Sequence, residues 1–138
     1  MKQTVRVGAV ILNKEKNKVL LELQSRGNYW VFPKGGIDPG ETELQTLKRE
    51  VREETGIKVF LLDSKFKDEI SYKFNTEHGW MEAAVYYFII YTDQKGYISR
   101  PKEVLELKWC KFDEAQKILK FKNQQKLLNR VIKYINEE

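Results

Sequence analysis

Three glutamates, Glu50, Glu53 and Glu54, crowd into a run of residues that reads as a helix. At about 100° per residue they fall within an arc of roughly 100°. Leu44, Leu47 and Val51 share a neighbouring arc and are expected to form the buried stripe. Like charges placed so close repel one another. Lys48, Arg49 and Arg52 are interleaved with them, so a wet, screened helix face is one explanation. The other is a site for a hard cation: Mg²⁺ or Mn²⁺ takes carboxylate oxygens and leaves its other positions to water and phosphate. Spacing alone does not separate the two.

The frame around the helix does. A turn-rich loop, Gly35-Gly-Ile-Asp-Pro-Gly-Glu41, precedes it, and Gly56 ends it as a C-cap glycine. Gly35, Glu41, Arg49, Glu50, Val51, Glu53, Glu54, Gly56 and Ile57 together resemble the Nudix box, without departure in spacing or type. The resemblance implies an α/β fold, a Nudix-type α/β/α sandwich with a mixed central sheet. It implies hydrolysis of a nucleoside diphosphate linked to another group, with Mg²⁺ or Mn²⁺ as cofactor. By position, Glu50, Glu53 and Glu54 become metal ligands and the Gly35 carbonyl a further one. Either Glu53 or Glu54 is the general base. Some members draw a base or extra ligand from a later loop, for which Glu103 is the candidate and Glu106 the second. Glu41 and Arg49 are expected to form an ion pair that positions the helix. Thr46 and Leu47 stand where the family often has alanines, a departure that bears on helix packing.

The substrate class rests on residues outside those acids. Trp30-Val-Phe-Pro-Lys-Gly35 resembles a stretch of diadenosine tetraphosphate hydrolases and places Lys34 near a phosphate. Gly36, Ile37 and Pro39 are also similar to bacterial RNA 5′-pyrophosphohydrolases, but those usually carry Gln where Lys34 stands. The dinucleotide is therefore the expected substrate. Lys120-Phe121-Lys122 fits either group, with Phe121 or Tyr72 as a base-stacking ring and Lys120 or Lys122 near phosphate. The alternatives are an RNA 5′-pyrophosphohydrolase, an ADP-ribose or nucleoside triphosphate pyrophosphatase, and a catalytically silent nucleotide-binding domain. The intact acidic triad argues against the last.

The 138 residues suffice for one domain, 1–138, and not for two. No apolar run reaches the roughly 20 residues of a membrane span. The N-terminus turns at once into a strand pattern, without the apolar core of a signal peptide. The single Cys110 has no partner for an internal disulfide, which points to a reducing, cytoplasmic setting. It alternates with apolar residues and is expected to be buried filler. Net charge is +5 although the box is acidic, so the basic excess lies elsewhere. That balance suits a polyanionic small nucleotide or an RNA 5′ end. No membrane partner is expected, and the chain is expected to act as a monomer or homodimer.

To carry these residues the chain is expected to open with a hairpin of strands 4–12 and 18–24 around a polar turn at 13–17. A loop at 25–28 and a short apolar segment at 29–32 lead into the box. Strands follow at 57–62 and 65–74, with a turn at 75–79. Residues 80–91 form a central strand buried on both faces. After a turn at 93–96 and a loop at 100–103 comes a strand at 104–112. Asp113 caps a short helix to residue 119, and an amphipathic helix covers 124–137.

Overall fold

Alternation along two long strands divides the apolar residues of this chain between two faces. The computed structural model describes residues 2–137. Its elements are β1 (Lys2–Asn13), β2 (Lys18–Gln24), β3 (Tyr29–Val31), β4 (Lys34–Gly36), α1 (Glu43–Thr55), β5 (Leu61–Leu62), β6 (Asp68–Thr76), β7 (Gly79–Thr92), β8 (Val104–Lys111), α2 (Phe112–Ile118) and α3 (Lys122–Asn136). β1 lies parallel to β7, with Val7 opposite Tyr86, and the other pairings are antiparallel, so the eight-stranded sheet is mixed. Val7, Ala9 and Ile11 of β1 and Phe88 and Ile90 of β7 pack with Leu47 and Val51 of α1. Val10, Leu12, Val85, Tyr87 and Ile89 point the other way, onto Leu127, Leu128 and Val131 of α3 and Ala115 of α2. The result is the α/β/α sandwich with a mixed central sheet. Each fully buried Leu, Ile or Val adds about 1.5–3 kcal/mol of hydrophobic stabilisation.

The opening hairpin forms with Ile11 opposite Leu20, and β7 is central and buried as expected. Several local expectations change. Leu44 is exposed rather than part of the stripe: it lies in the first turn, about 60° around from Leu47, and the α1 seat is built further along. Within residues 57–62 only Leu61–Leu62 pair, because the preceding backbone N–H groups of Lys58 and Val59 bond the Gln94 side chain instead of a strand. The β6–β7 turn narrows to Glu77 and His78, since pairing continues out to Thr76 and Gly79. Asp113 is not the cap: β8 runs straight into α2, with Lys111 at the cap position and Phe112 packed on the core.

No helix among the described residues is long and apolar enough to cross a membrane. Cys110 is buried in the core between sheet and helices, and burial pushes its thiol up to about 11. The native protein should therefore resist iodoacetamide at pH 8, where the denatured chain reacts readily. Rapid labelling of the native protein would show that β8 does not stay closed over this residue.

Candidate active site

The candidate site forms where α1 meets β4 and β2. Thr42 starts the helix with a reciprocal capping box: its hydroxyl accepts from Gln45 N–H, and the Gln45 side chain accepts from Thr42 N–H. Gly56 ends it in the left-handed conformation (φ 72°), donating its N–H to the Arg52 carbonyl. Between these stops, α1 can turn only one set of residues toward the sheet. Glu54 belongs to that set, about 20° around from Leu47, and is buried.

Arg49 ties the site together. Its Nε and Nη2 donate to the two oxygens of Glu41, each at 2.8 Å, a bidentate pair that holds the Glu41 carboxyl down to about 2. Nη2 also donates to the Gly36 carbonyl at 2.8 Å, and Nη1 to Glu50 at 2.6 Å and Glu53 at 3.2 Å. One guanidinium thus joins the loop before α1, strand β4 and two of the three helix acids. Thr46 is fully buried, and its hydroxyl lies 3.0 Å from both a Glu41 oxygen and the Thr42 carbonyl, either of which accepts its one proton. The departure from alanine therefore buries a hydroxyl with partners for its proton, and leaves the helix seated.

Lys34–Gly36, read in sequence as part of a loop, is strand β4, with Gly35 opposite Val7 of β1. The pairing brings the Gly35 backbone hard against α1. A β-carbon there would lie 2.0 Å from the Glu50 carboxyl carbon. Lys34 N–H donates to Glu54 at 3.1 Å. The fourth acid was not anticipated. Glu22 sits in β2 on the α1-facing side, two residues beyond Leu20, and is fully buried. Its signal was a lone carboxylate inside the apolar run from Val19 to Leu23. Glu22 accepts from the Gln24 amide at 2.6 Å, and its carboxyl faces that of Glu54. Burial drives both carboxyls above the ordinary range. Burial raises Glu50 as well, against the pull of Arg49.

Among the described residues no three His, Cys, Asp or Glu side chains gather closely enough to grip an ion. The donor set nevertheless fits a hard divalent cation. It consists of carboxylate oxygens, three of the four acids are desolvated, and Glu22 Oε1 is buried without a hydrogen-bond partner. The absent Gly35 side chain leaves the Glu50 carboxyl its place.

Beside the acids opens a cavity of about 250 Å³, lined by Lys34, Tyr29, Tyr72, Phe121, Asn123 and Gln124 among others. Lys34 Nζ lies 5.0 Å from the centre of the Tyr72 ring and 3.4 Å from its hydroxyl. Phe121 and Tyr29 meet edge to face at 5.0 Å. Of the residues expected at the substrate, Lys34, Tyr72 and Phe121 come together here. Lys120 and Lys122 flank Phe121, but both are exposed and outside the cavity wall. Glu103 is exposed and paired with Arg100, which also reaches Glu53, whereas Glu106 is exposed on β8 opposite Leu23.

The strain of gathering these acids is measurable. Free carboxyls of this kind titrate near 4.5, and folding raises Glu22 and Glu54 above that value. Their contribution is therefore fully present below about pH 4.5 and is lost as pH rises through the raised folded values. In chelator at pH 8, Glu22→Gln should raise the melting temperature, by about 3–6 °C per kcal/mol recovered. The gain should vanish below about pH 4.5. A lower melting temperature at pH 8, read by calorimetry, would show that the pair is not strained.

Comparison with known proteins agrees with this geometry. The NUDIX domain family model matches residues 2–131. The chain is 30% identical to the mouse (Mus musculus) bis(5′-nucleosyl)-tetraphosphatase [asymmetrical] over 112 residues, 80% of this chain and 74% of that protein. It is 33% identical to an RNA pyrophosphohydrolase of Helicobacter pylori strain P12 over 118 residues, 79% and 75% of the two chains. The crystal structure of a C. elegans Ap4A hydrolase binary complex superposes with a TM-score of 0.79 at 23% identity, covering 98% of this chain and 99% of that one. With box, fold and relatives in agreement, the chain belongs to the Nudix family of hydrolases.

Proposed function

We propose that this chain is a divalent-metal-dependent pyrophosphohydrolase of nucleoside polyphosphates, with diadenosine tetraphosphate or a related dinucleotide as its substrate. One Nudix unit, residues 1–138, acts in the cytoplasm. The observation that carries this reading is the position of Lys34. Its backbone N–H bonds the Glu54 carboxyl, while its ammonium stands over the Tyr72 ring in the cavity wall. A base stacked among Tyr72, Tyr29 and Phe121 would therefore lead its phosphates past a cation and onto the acids.

In the reaction a water oxygen attacks one phosphorus. A new P–O bond forms, the bridging P–O bond breaks, and its electron pair leaves with the departing phosphate. When bound at Glu50, Glu53, Glu54 and the Gly35 carbonyl, Mg²⁺ or Mn²⁺ supplies neutralising charge and acidifies water. This chain's residues do the remainder. Arg49 and Glu41 fix the angle of α1. Lys34 holds phosphate charge. Glu53 or Glu54 takes the proton of the attacking water, and Glu53 is the more open of the two to solvent. Glu103, on the loop beyond, remains the candidate for an additional base or ligand.

A panel of diadenosine tetraphosphate, triphosphorylated RNA, ADP-ribose and oxidised nucleoside triphosphates, with Mg²⁺ or Mn²⁺, tests the substrate. Release of ATP and AMP from the dinucleotide at the highest kcat/KM is expected. Faster turnover of triphosphorylated RNA would replace this reading with the RNA one, which the basic net charge and the bacterial relative favour. Glu53→Gln and Glu54→Gln should each lower kcat about 10²-fold or more. Full activity in chelator, or in both variants, would contradict the metal-dependent mechanism. Phe121→Ala should raise KM for the dinucleotide roughly tenfold with a smaller change in kcat.

A further inference from the structure

Residues 93–103 form a strap across the C-terminal end of α1. Such an end leaves carbonyls without helical partners. The strap supplies donors: Tyr97 N–H bonds the Thr55 carbonyl at 2.7 Å, and the Ser99 hydroxyl bonds the Glu53 carbonyl. Gly96 approaches so closely that a β-carbon would lie 2.7 Å from the Thr55 carbonyl oxygen, and its φ of 81° already favours glycine. Further anchors hold the strap from outside. Trp109 Nε1 donates to the Lys95 carbonyl at 2.9 Å, and the Gln94 side chain accepts from Lys58 and Val59. The loop then turns on the Arg100 carbonyl, which accepts from both Glu103 and Val104.

This scaffolding delivers one cation to the acids. Arg100 Nη2 lies 2.9 Å from Glu53 Oε2, and Nη1 lies 3.4 Å from Glu103. Glu53 Oε2 is also 3.2 Å from Arg49 Nη1, so a single carboxylate oxygen faces two guanidinium groups. Arg49 is committed elsewhere, by its bidentate pair with Glu41 and its bond to Gly36. Arg100 has no such commitment: its second contact is long, and its side chain is 42% exposed. The strap does not need Arg100 as a pin, since Tyr97, Ser99, Gln94 and Trp109 hold it already.

Building on the divalent-cation reading of Glu53, we infer that Arg100 is the displaceable counter-ion of that carboxylate. It holds Glu53 in place, and a divalent cation must displace it to use that oxygen. The freed guanidinium then stands at the rim of the acidic site, where the phosphates of a polyphosphate would arrive, so the residue that opposes cation entry afterwards favours substrate. Arg100 is a positioning residue in the first role and binds substrate in the second.

Titration calorimetry with Mn²⁺ alone, on wild type, Arg100→Gln and Arg100→Lys, tests the first role. Removing an exposed competing charge should tighten Mn²⁺ binding about two- to fivefold in Arg100→Gln. Arg100→Lys, which keeps the charge, should stay near wild type. In steady-state kinetics at saturating Mn²⁺, Arg100→Gln should raise KM for the dinucleotide several-fold with kcat less affected, and Arg100→Lys should recover part of the loss. Unchanged or weaker Mn²⁺ binding in Arg100→Gln, with the melting temperature preserved, would overturn the inference and leave the metal site intact. No Mn²⁺ binding by wild type would overturn both.

Discussion

Mutual repulsion among four carboxylates, held partly out of water, is the constraint around which this structure is arranged. Glu50, Glu53 and Glu54 come from one helix and Glu22 from the strand beneath it, and burial makes the negative charges of Glu22, Glu50 and Glu54 more costly. Such a cluster persists only if something offsets the charge. The offset comes from burial that biases Glu22 and Glu54 toward their neutral forms, from the Arg49 guanidinium on Glu50 and Glu53, and from Arg100 on Glu53. None of them removes the underlying mismatch, because the first restrains ionisation and the other two occupy the oxygens. A divalent cation would satisfy the same groups at once.

The fold supplies the stiffness this requires. The parallel pairing of β1 with β7 runs the length of β1 and places apolar residues on each face. α1 is seated on one face by Leu47 and Val51, capped at both ends, and strapped at its C-terminus. Glu41, Asp38 and Gly36 anchor Arg49 from the loop and β4 side. The acids therefore cannot relax apart by rotating or sliding the helix without breaking capping bonds and the Glu41 pair. Strain is confined to protonation and to which cation sits on which oxygen, the two variables that ligand binding can change.

Much of this was legible in the sequence, for reasons that differ by element. α1 was readable at its end because Gly56 alone can take the left-handed cap cheaply, and its acids because box spacing fixes their register. β7 announced itself by continuous apolar residues, as a strand covered on both sides must. The misses are places where a distant partner decides. Gly-Gly carries no strand propensity, so β4 exists only because β1 offers its edge. Leu44 and Leu47 look equivalent by type, and only the placement of the sheet separates them. Glu22 and Arg100 lie 28 and 50 residues from Glu50 in the chain, and their meeting with the helix acids is a tertiary event. Tyr72 and Phe121 were anticipated at the substrate, whereas Tyr29, Asn123 and Gln124 emerged only when α3 closed the cavity.

The most direct measurement is anomalous diffraction from crystals of this protein soaked in Mn²⁺. A manganese peak should appear among the carboxyl groups of Glu50, Glu53 and Glu54, beside the Gly35 carbonyl, with Arg100 moved off Glu53. A map without such a peak, or with manganese bound only elsewhere on the surface, would contradict the proposal that these helix acids hold a divalent cation.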